Sequence, residues 1–205
     1  MIVHTLENMN LRFPEREIFL RLGGHVSKTV IPEPQLREFR KTALAAFELC
    51  RPCGRWMAVP ARRSDRGIEL TDGTVVPGAD FAARCDGITM LWCGAVTVGN
   101  AVVAARDNCP ELAASAIYDA VASECADAAM DHLQQQAAMV LRRQGSFLAA
   151  RRYSPGYGDM PLSVQRFFYE RLNLPELDMQ LNEQNFFLPE KSVTAFAGII
   201  QEINL

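Results

Sequence analysis

Several common signatures of function are missing from this chain of 205 residues. No G-x-G-x-x-G follows a strand-like run, and no G-x-x-x-x-G-K-[ST] is present, so the usual dinucleotide and triphosphate cradles have no counterpart. H-E-x-x-H and G-x-S-x-G are absent too, which leaves zinc-protease and serine-hydrolase chemistry without support. Three histidines, His4, His25 and His132, are too few and too scattered for a metal cluster and read as surface or capping residues. A basic excess is lacking: 21 Lys and Arg against 24 Asp and Glu give a net charge of -3, and phosphate neutralisation by a nucleic-acid binder needs the opposite balance. No apolar run approaches a membrane span, and Met1 to Glu7 lack the charged and long apolar segments of a secretory signal. The expectation is a soluble, cytoplasmic protein that binds neither nucleic acid nor membrane.

Six cysteines at irregular spacings (Cys50, Cys53, Cys85, Cys93, Cys109, Cys125) fit reduced, mostly buried thiols better than a disulfide framework. Cys50 and Cys53 form a C-x-x-C at a helix end, where the dipole does not favour a thiolate, and no second C-x-x-C or H-x-x-x-H would complete a zinc site. No metal site and no catalytic acid–base or nucleophile set is expected.

With 49% hydrophobic residues the chain has enough apolar material for one domain with a sizeable core. Its first 53 residues read as helical: Pro14 to Leu22 ending at Gly23-Gly24, then Glu33 to Leu49, both expected to pack on a sheet. Extended pieces follow at Trp56 to Pro60, Gly67 to Thr71 and Thr74 to Val76, the last two flanking the hairpin dipeptide Asp72-Gly73. Ile88 to Val98 is apolar at both alternating sets of positions and predicts a central strand covered on each face. Asn108-Cys109-Pro110-Glu111 reads as the start of the longest helix, running to about Leu141. A further helix is predicted over Leu162 to Leu172, and strands at Asn185 to Leu188 and Ser192 to Ile200, with a short tail at Gln201 to Leu205.

Two local features point to chemistry. The stretch Arg152-Tyr153-Ser154-Pro155-Gly156-Tyr157-Gly158-Asp159 combines a guanidinium fork, an aromatic face and a tight turn that exposes backbone polar groups. Taken alone it reads as a surface turn. On the long helix, Glu124 falls near the middle of the apolar stripe and Asp127 on its border. Either the buried portion ends before them, or a polar site interrupts the stripe.

Four pieces, in order, resemble the activation domain of cobalamin-dependent methionine synthase, and more closely the small free-standing proteins similar to that domain. Thr97-Val98-Gly99 resembles its Thr-x-Gly strand end, and Asp119 to Asp127 the helix whose last position is usually Glu. Arg152 to Tyr157 resembles its Arg-x-x-x-Gly-Tyr loop, and Leu188-Pro189-Glu190-Lys191-Ser192-Val193-Thr194-Ala195 its Pro-x-x-Ser-Val-Ser/Thr strand. The likeness runs from about residue 80 to 200. It departs at Asp127, shorter by one methylene than Glu, at Leu181-Asn182-Glu183-Gln184, and at Ala197, where the synthase domain carries an aromatic.

The resemblance implies an α+β fold in a single domain over residues 1–205, with a central, mostly antiparallel sheet flanked by helices; residues 54–205 would form the part that binds S-adenosylmethionine. Arg152 would take the ligand's carboxylate, or its backbone the adenine. Asp127 would hold the ammonium, with Glu124 or Glu183 as substitutes. Ser154, Pro155, Gly156 and Gly158 would contact the ligand as the loop, Pro155 to Gly158 through the main chain, and Tyr157 would pack on it or face a corrinoid. The implied activity is reductive methylation of a stalled cob(II)alamin, using one electron and the methyl group of S-adenosylmethionine. No D-x-H-x-x-G corrinoid motif is present, so cobalamin would come only with a partner, a corrinoid-binding methyltransferase, and the electron from a flavodoxin- or ferredoxin-type reductant. The alternative is a docking module that recognises a corrinoid protein or its reductase without using S-adenosylmethionine.

Overall fold

The computed structural model describes residues 2–25 and 30–201. Residues 202–205 of the short C-terminal tail lie outside the described residues. In chain order the elements are β1 (His4–Leu6), α1 (Glu15–Arg21), α2 (Glu33–Leu49), β2 (Cys53–Ser64), β3 (Gly67–Leu70), β4 (Val75–Val76), α3 (Ala79–Ala82), β5 (Met90–Thr97), α4 (Ala101–Asp107), α5 (Leu112–Arg142), β6 (Ser146–Leu148), α6 (Gln165–Arg171), β7 (Gln180–Leu181), β8 (Phe187–Leu188) and β9 (Ser192–Gln201). Single 3-10 turns at Leu162–Val164 and Leu174–Leu177 flank α6.

The sheet runs β4-β3-β2-β5-β9-β6, with β1 also on β2, and all its pairings are antiparallel. The fold is therefore α+β with a central antiparallel sheet flanked by helices, as the resemblance implied. β5 lies at its centre, as its doubly apolar pattern predicts. Cys93 and Ala95 face a core that includes Met57, Phe81, Phe168 and Phe196, while Trp92 and Val96 face α5 through Ala129, Met130 and Leu133. Successive strand residues point to opposite faces, so a strand covered on both sides is apolar throughout. Gly94 completes this layer, because a Cβ there would meet the Trp92 ring at 2.2 Å.

β2 is longer than the expected Trp56 to Pro60. It pairs with β5 from Cys53 to Pro60, then changes partner and pairs with β3 from Ala61 to Ser64. Pro60, which has no N–H to donate, marks the exchange. The strand read at Asn185 to Leu188 shortens to Phe187–Leu188, because Asn185 turns at φ 63 between β7 and β8.

Helix packing differs from expectation in two respects. α1 and α2 pack on other helices rather than on the sheet: Ile18, Ala43 and Ala46 join Val102, Ala120, Val121 and Cys125 in a separate cluster against α4 and α5. The alanine-rich face of α5 admits them closely, and Ala120, Ala122 and Ala126 are all buried there. Asn108 closes a helix rather than opening one, its side-chain amide donating to the Ala104 carbonyl at the end of α4, and α5 starts at Leu112.

Candidate functional site

β6 continues into the Arg152 loop, which is laced onto β9. The Ala149 N–H donates to the Gly198 carbonyl, and Tyr153 and Phe196 exchange both backbone bonds at 2.9 and 2.8 Å. The Tyr153 ring stacks on Phe81, centroids 5.3 Å apart. Beyond it the chain turns tightly, the Gly156 N–H donating to the Met160 carbonyl and the Tyr157 N–H to that of Ser154. Gly158 sits at φ 55, and a Cβ there would lie 2.2 Å from the Tyr153 hydroxyl oxygen, so this position requires glycine. Asp159 then accepts from the Ala79 and Asp80 N–H groups, anchoring the loop to α3.

α5 supplies the facing wall. Asp127, Asp131 and Gln134 recur at i, i+4 and i+7 and so share one face. Asp131 Oδ1 meets Arg152 Nη2 at 2.7 Å, and Gln134 Oε1 accepts from Arg152 Nη1 at 2.5 Å. Gln134 is itself held, its Nε2 donating to the carbonyls of Ala149 and Ala150. Arg152 is thus fixed between helix and loop.

The start of β9 forms the third side. Arg106 on α4 pairs with Asp119 and Glu190, and Lys191 Nζ reaches Asp119 at 2.7 Å and Ser123 Oγ at 3.0 Å. The Arg106 hydrogen bond holds Glu190 below the usual carboxylate range. This network ties the residues before Ser192 to α4 and α5. Ser192 Oγ donates to the Pro189 carbonyl, and Thr194 Oγ1 donates to Gln165 Oε1 at 2.5 Å.

Together these elements line a half-open cavity of about 740 Å³, within the usual range of small-molecule sites. Of the residues singled out in the sequence, Asp127, Arg152, Ser154, Pro155 and Tyr157 line it, together with Ser192 to Thr194. Tyr157 is 70% exposed at its edge. Gly156 and Gly158 shape the loop without lining the cavity.

The two substitute acids lie elsewhere. Glu124, its side chain only 14% exposed, pairs with Arg21 Nε at 2.5 Å and lines an adjoining groove beside α1 and α2. Glu183 is exposed in the turn between β7 and β8. Arg21 also reaches Asp127, Nη2 to Oδ2 at 2.9 Å. Partial burial raises the Asp127 pKa above the ordinary value, Glu124 and Asp131 add to the rise, and Arg21 and Arg152 oppose it.

Sequence reasoning missed Arg21, Asp131, Gln134 and Gln165. Asp131 and Gln134 carried a signal, helical spacing from Asp127. Arg21 and Gln165 carried none, since they arrive from distant elements.

Cys50 caps the end of α2 and Cys53 opens β2, so the C-x-x-C spans a helix-to-strand junction. All six thiols are free, and no group of His, Cys, Asp and Glu able to hold a metal occurs among the described residues. His4, read as a surface or capping residue, is partly exposed on β1 and stacks on Trp56 with centroids 4.0 Å apart. No described helix is long and apolar enough to cross a membrane.

No family model matches the chain, and no curated protein matches it. Among solved structures it is similar to the MetH reactivation domain bound to AdoHcy. The TM-score is 0.67 at 16% identity, over 100% of this chain and 80% of that one. The likeness lies in the fold, and it extends through the N-terminal helices as well as the segment from residue 80 onward.

Proposed function

We propose that this protein binds S-adenosylmethionine in the cavity between α5, the Arg152 loop and the start of β9, and presents its methyl group to a separate corrinoid methyltransferase for reductive reactivation. The single observation that carries this reading is the convergence of Asp127, Arg152 and Ser192 to Thr194, distant in sequence, on one cavity. The fold likeness to a domain that holds AdoHcy supports it.

Charge supports it as well. The cavity is lined by two carboxylates, Asp127 and Asp131, and one guanidinium, Arg152. S-adenosylmethionine carries the converse set, an ammonium and a sulfonium against one carboxylate. Arg152 already uses Nη1 and Nη2 toward Gln134 and Asp131, and its remaining donors would meet the ligand carboxylate in a fixed direction. Asp127 would take the ammonium in place of Arg21. Tyr157, exposed at the cavity edge, offers an aromatic face to the ligand or to the incoming partner.

The chemistry is displacement of the methyl carbon from sulfur by a reduced corrinoid of the partner, with the C–S electron pair left on the sulfur of AdoHcy. This displacement needs no general acid or base, so the protein's contribution is orientation of the donor. The one-electron donor would be a flavodoxin- or ferredoxin-type protein.

Titration calorimetry tests the binding step. Wild type should bind S-adenosylmethionine, and Arg152→Ala and Asp127→Ala should each lose most of the affinity; a folded wild type giving no heat at millimolar ligand overturns the reading. A second reading, a docking module that does not use the ligand, draws on the internal pairing of both Asp127 and Arg152. It requires that charge reversal at Asp127 leave corrinoid reactivation unchanged.

A further inference from the structure

We propose that Gln165, held by Thr194, is the positioning residue for the uncharged nucleoside portion of the ligand; the inference rests on the S-adenosylmethionine reading of the cavity. Thr194 lies on β9 with only 2% of its surface exposed, and its hydroxyl donates to Gln165 Oε1 at 2.5 Å. Both residues line the cavity. Gln165 opens α6, which is fixed from below by Phe168, fully buried against Phe196. The carboxamide therefore projects from a rigid element and is tethered at its oxygen.

A carboxamide has two N–H donors besides its oxygen. Neither N–H of Gln165 has a partner among the described residues, although its oxygen does. The cavity's ionic groups, Asp127, Asp131 and Arg152, already match the ionic groups of an adenosyl amino acid. What remains on such a ligand is neutral and rich in acceptors: ribose oxygens and purine ring nitrogens. A neutral donor pair suits them better than it suits an ammonium or a sulfonium, which offer nothing to accept a hydrogen bond. Gln165 thereby makes the cavity select a nucleoside-bearing molecule over a bare amino acid.

The test uses calorimetry with S-adenosylmethionine, AdoHcy and 5′-methylthioadenosine, the last keeping the nucleoside and lacking the amino-acid end. Gln165→Met removes the donors; Gln165→Glu keeps an acceptor for Thr194 and removes them as well. Both should weaken 5′-methylthioadenosine, and Gln165→Met should weaken all three ligands about three- to tenfold, the worth of a neutral hydrogen bond. Asp127→Asn should weaken S-adenosylmethionine and leave 5′-methylthioadenosine unchanged. Thr194→Val should reproduce the Gln165→Met loss, and Thr194→Ser, which keeps the hydroxyl, should keep the affinity. Loss with S-adenosylmethionine but none with 5′-methylthioadenosine would place Gln165 at the amino-acid end and overturn the inference, as would unchanged affinities in folded variants. If wild type binds 5′-methylthioadenosine in a Gln165-dependent way yet fails to bind S-adenosylmethionine, the inference stands and the proposed function falls. If it binds neither, both fall.

Discussion

Replacing Arg21 by Ala separates two effects that a single contact carries in opposite directions. Arg21 holds Glu124 through Nε and Asp127 through Nη2. The Asp127 arm is exposed, with 41% of the Arg21 side chain and 57% of that of Asp127 open to solvent, so screening limits it to about 0.2–1 kcal/mol. The Glu124 arm matters more for folding. The Glu124 side chain is 14% exposed, and losing the guanidinium leaves a mostly buried acid unpaired, at about 1–3 kcal/mol. We expect Arg21→Ala to lose about 1–4 kcal/mol in all, lowering the melting temperature by about 2–16 °C for a domain of this size.

Ligand affinity should move the other way. Arg21 occupies the carboxylate that the ligand's ammonium would need, and removing this internal competitor should tighten S-adenosylmethionine about two- to fivefold, the exposed arm converted to a ratio. Thermal melts and calorimetry on Arg21→Ala, Asp127→Asn and the double variant form a cycle that isolates the coupling. The gain should vanish in the Asp127→Asn background. A less stable protein that also binds more weakly would refute the competition argument, and unchanged melting would refute the account of Glu124.

Other outcomes follow from the same contacts. Because the pKa of Asp127 is raised, its contribution to stability is present below the ordinary carboxylate value and is lost as pH rises through the raised one, while S-adenosylmethionine affinity should grow over that window as the acid ionises; calorimetry across pH should show this slope, and Asp127→Asn should flatten it. Asp72, held down to about 2 by the Thr74 backbone N–H first and then by the Thr74 hydroxyl and Arg171, contributes stability above its ordinary pKa that is lost as pH falls through about 2; Asp72→Ala should reduce the difference between acid and neutral melting temperatures. Gly158→Ala should cost about 1–3 kcal/mol, because it adds a Cβ against Tyr153 at a left-handed position, and should weaken ligand binding with it; a neutral melting temperature would contradict the geometry.

Local chemistry made much of this molecule legible. The Asp72-Gly73 turn, the doubly apolar run of β5 and the long alanine-rich helix all declare themselves within short windows, because turn dihedrals and side-chain periodicity are set by neighbours in the chain. The Arg152 loop and the Pro189 to Ala195 segment stood out instead through their resemblance to the motifs of a known family, since the loop by itself reads as a surface turn. β1, α3, α4 and β6 were not legible, because they carry no turn dipeptide or sustained periodic pattern of their own and are held by their tertiary neighbours.

Tertiary structure alone decided which charges meet. Glu124 and Asp127 stand three residues apart on one helix, and both pair with Arg21 and line the groove beside α1 and α2, yet only Asp127 also lines the cavity with Arg152. Arg152 was legible as a cation, but its fixing by Asp131 and Gln134 required β6 and its continuation to lie along β9 beside α5. Gln165 reached Thr194 only because α6 docks through Phe168 on the opposite sheet face from Trp92. A side chain's type follows from its codon, whereas its partner follows from which surfaces the core brings within hydrogen-bond reach, and that distance is not a property of any local window.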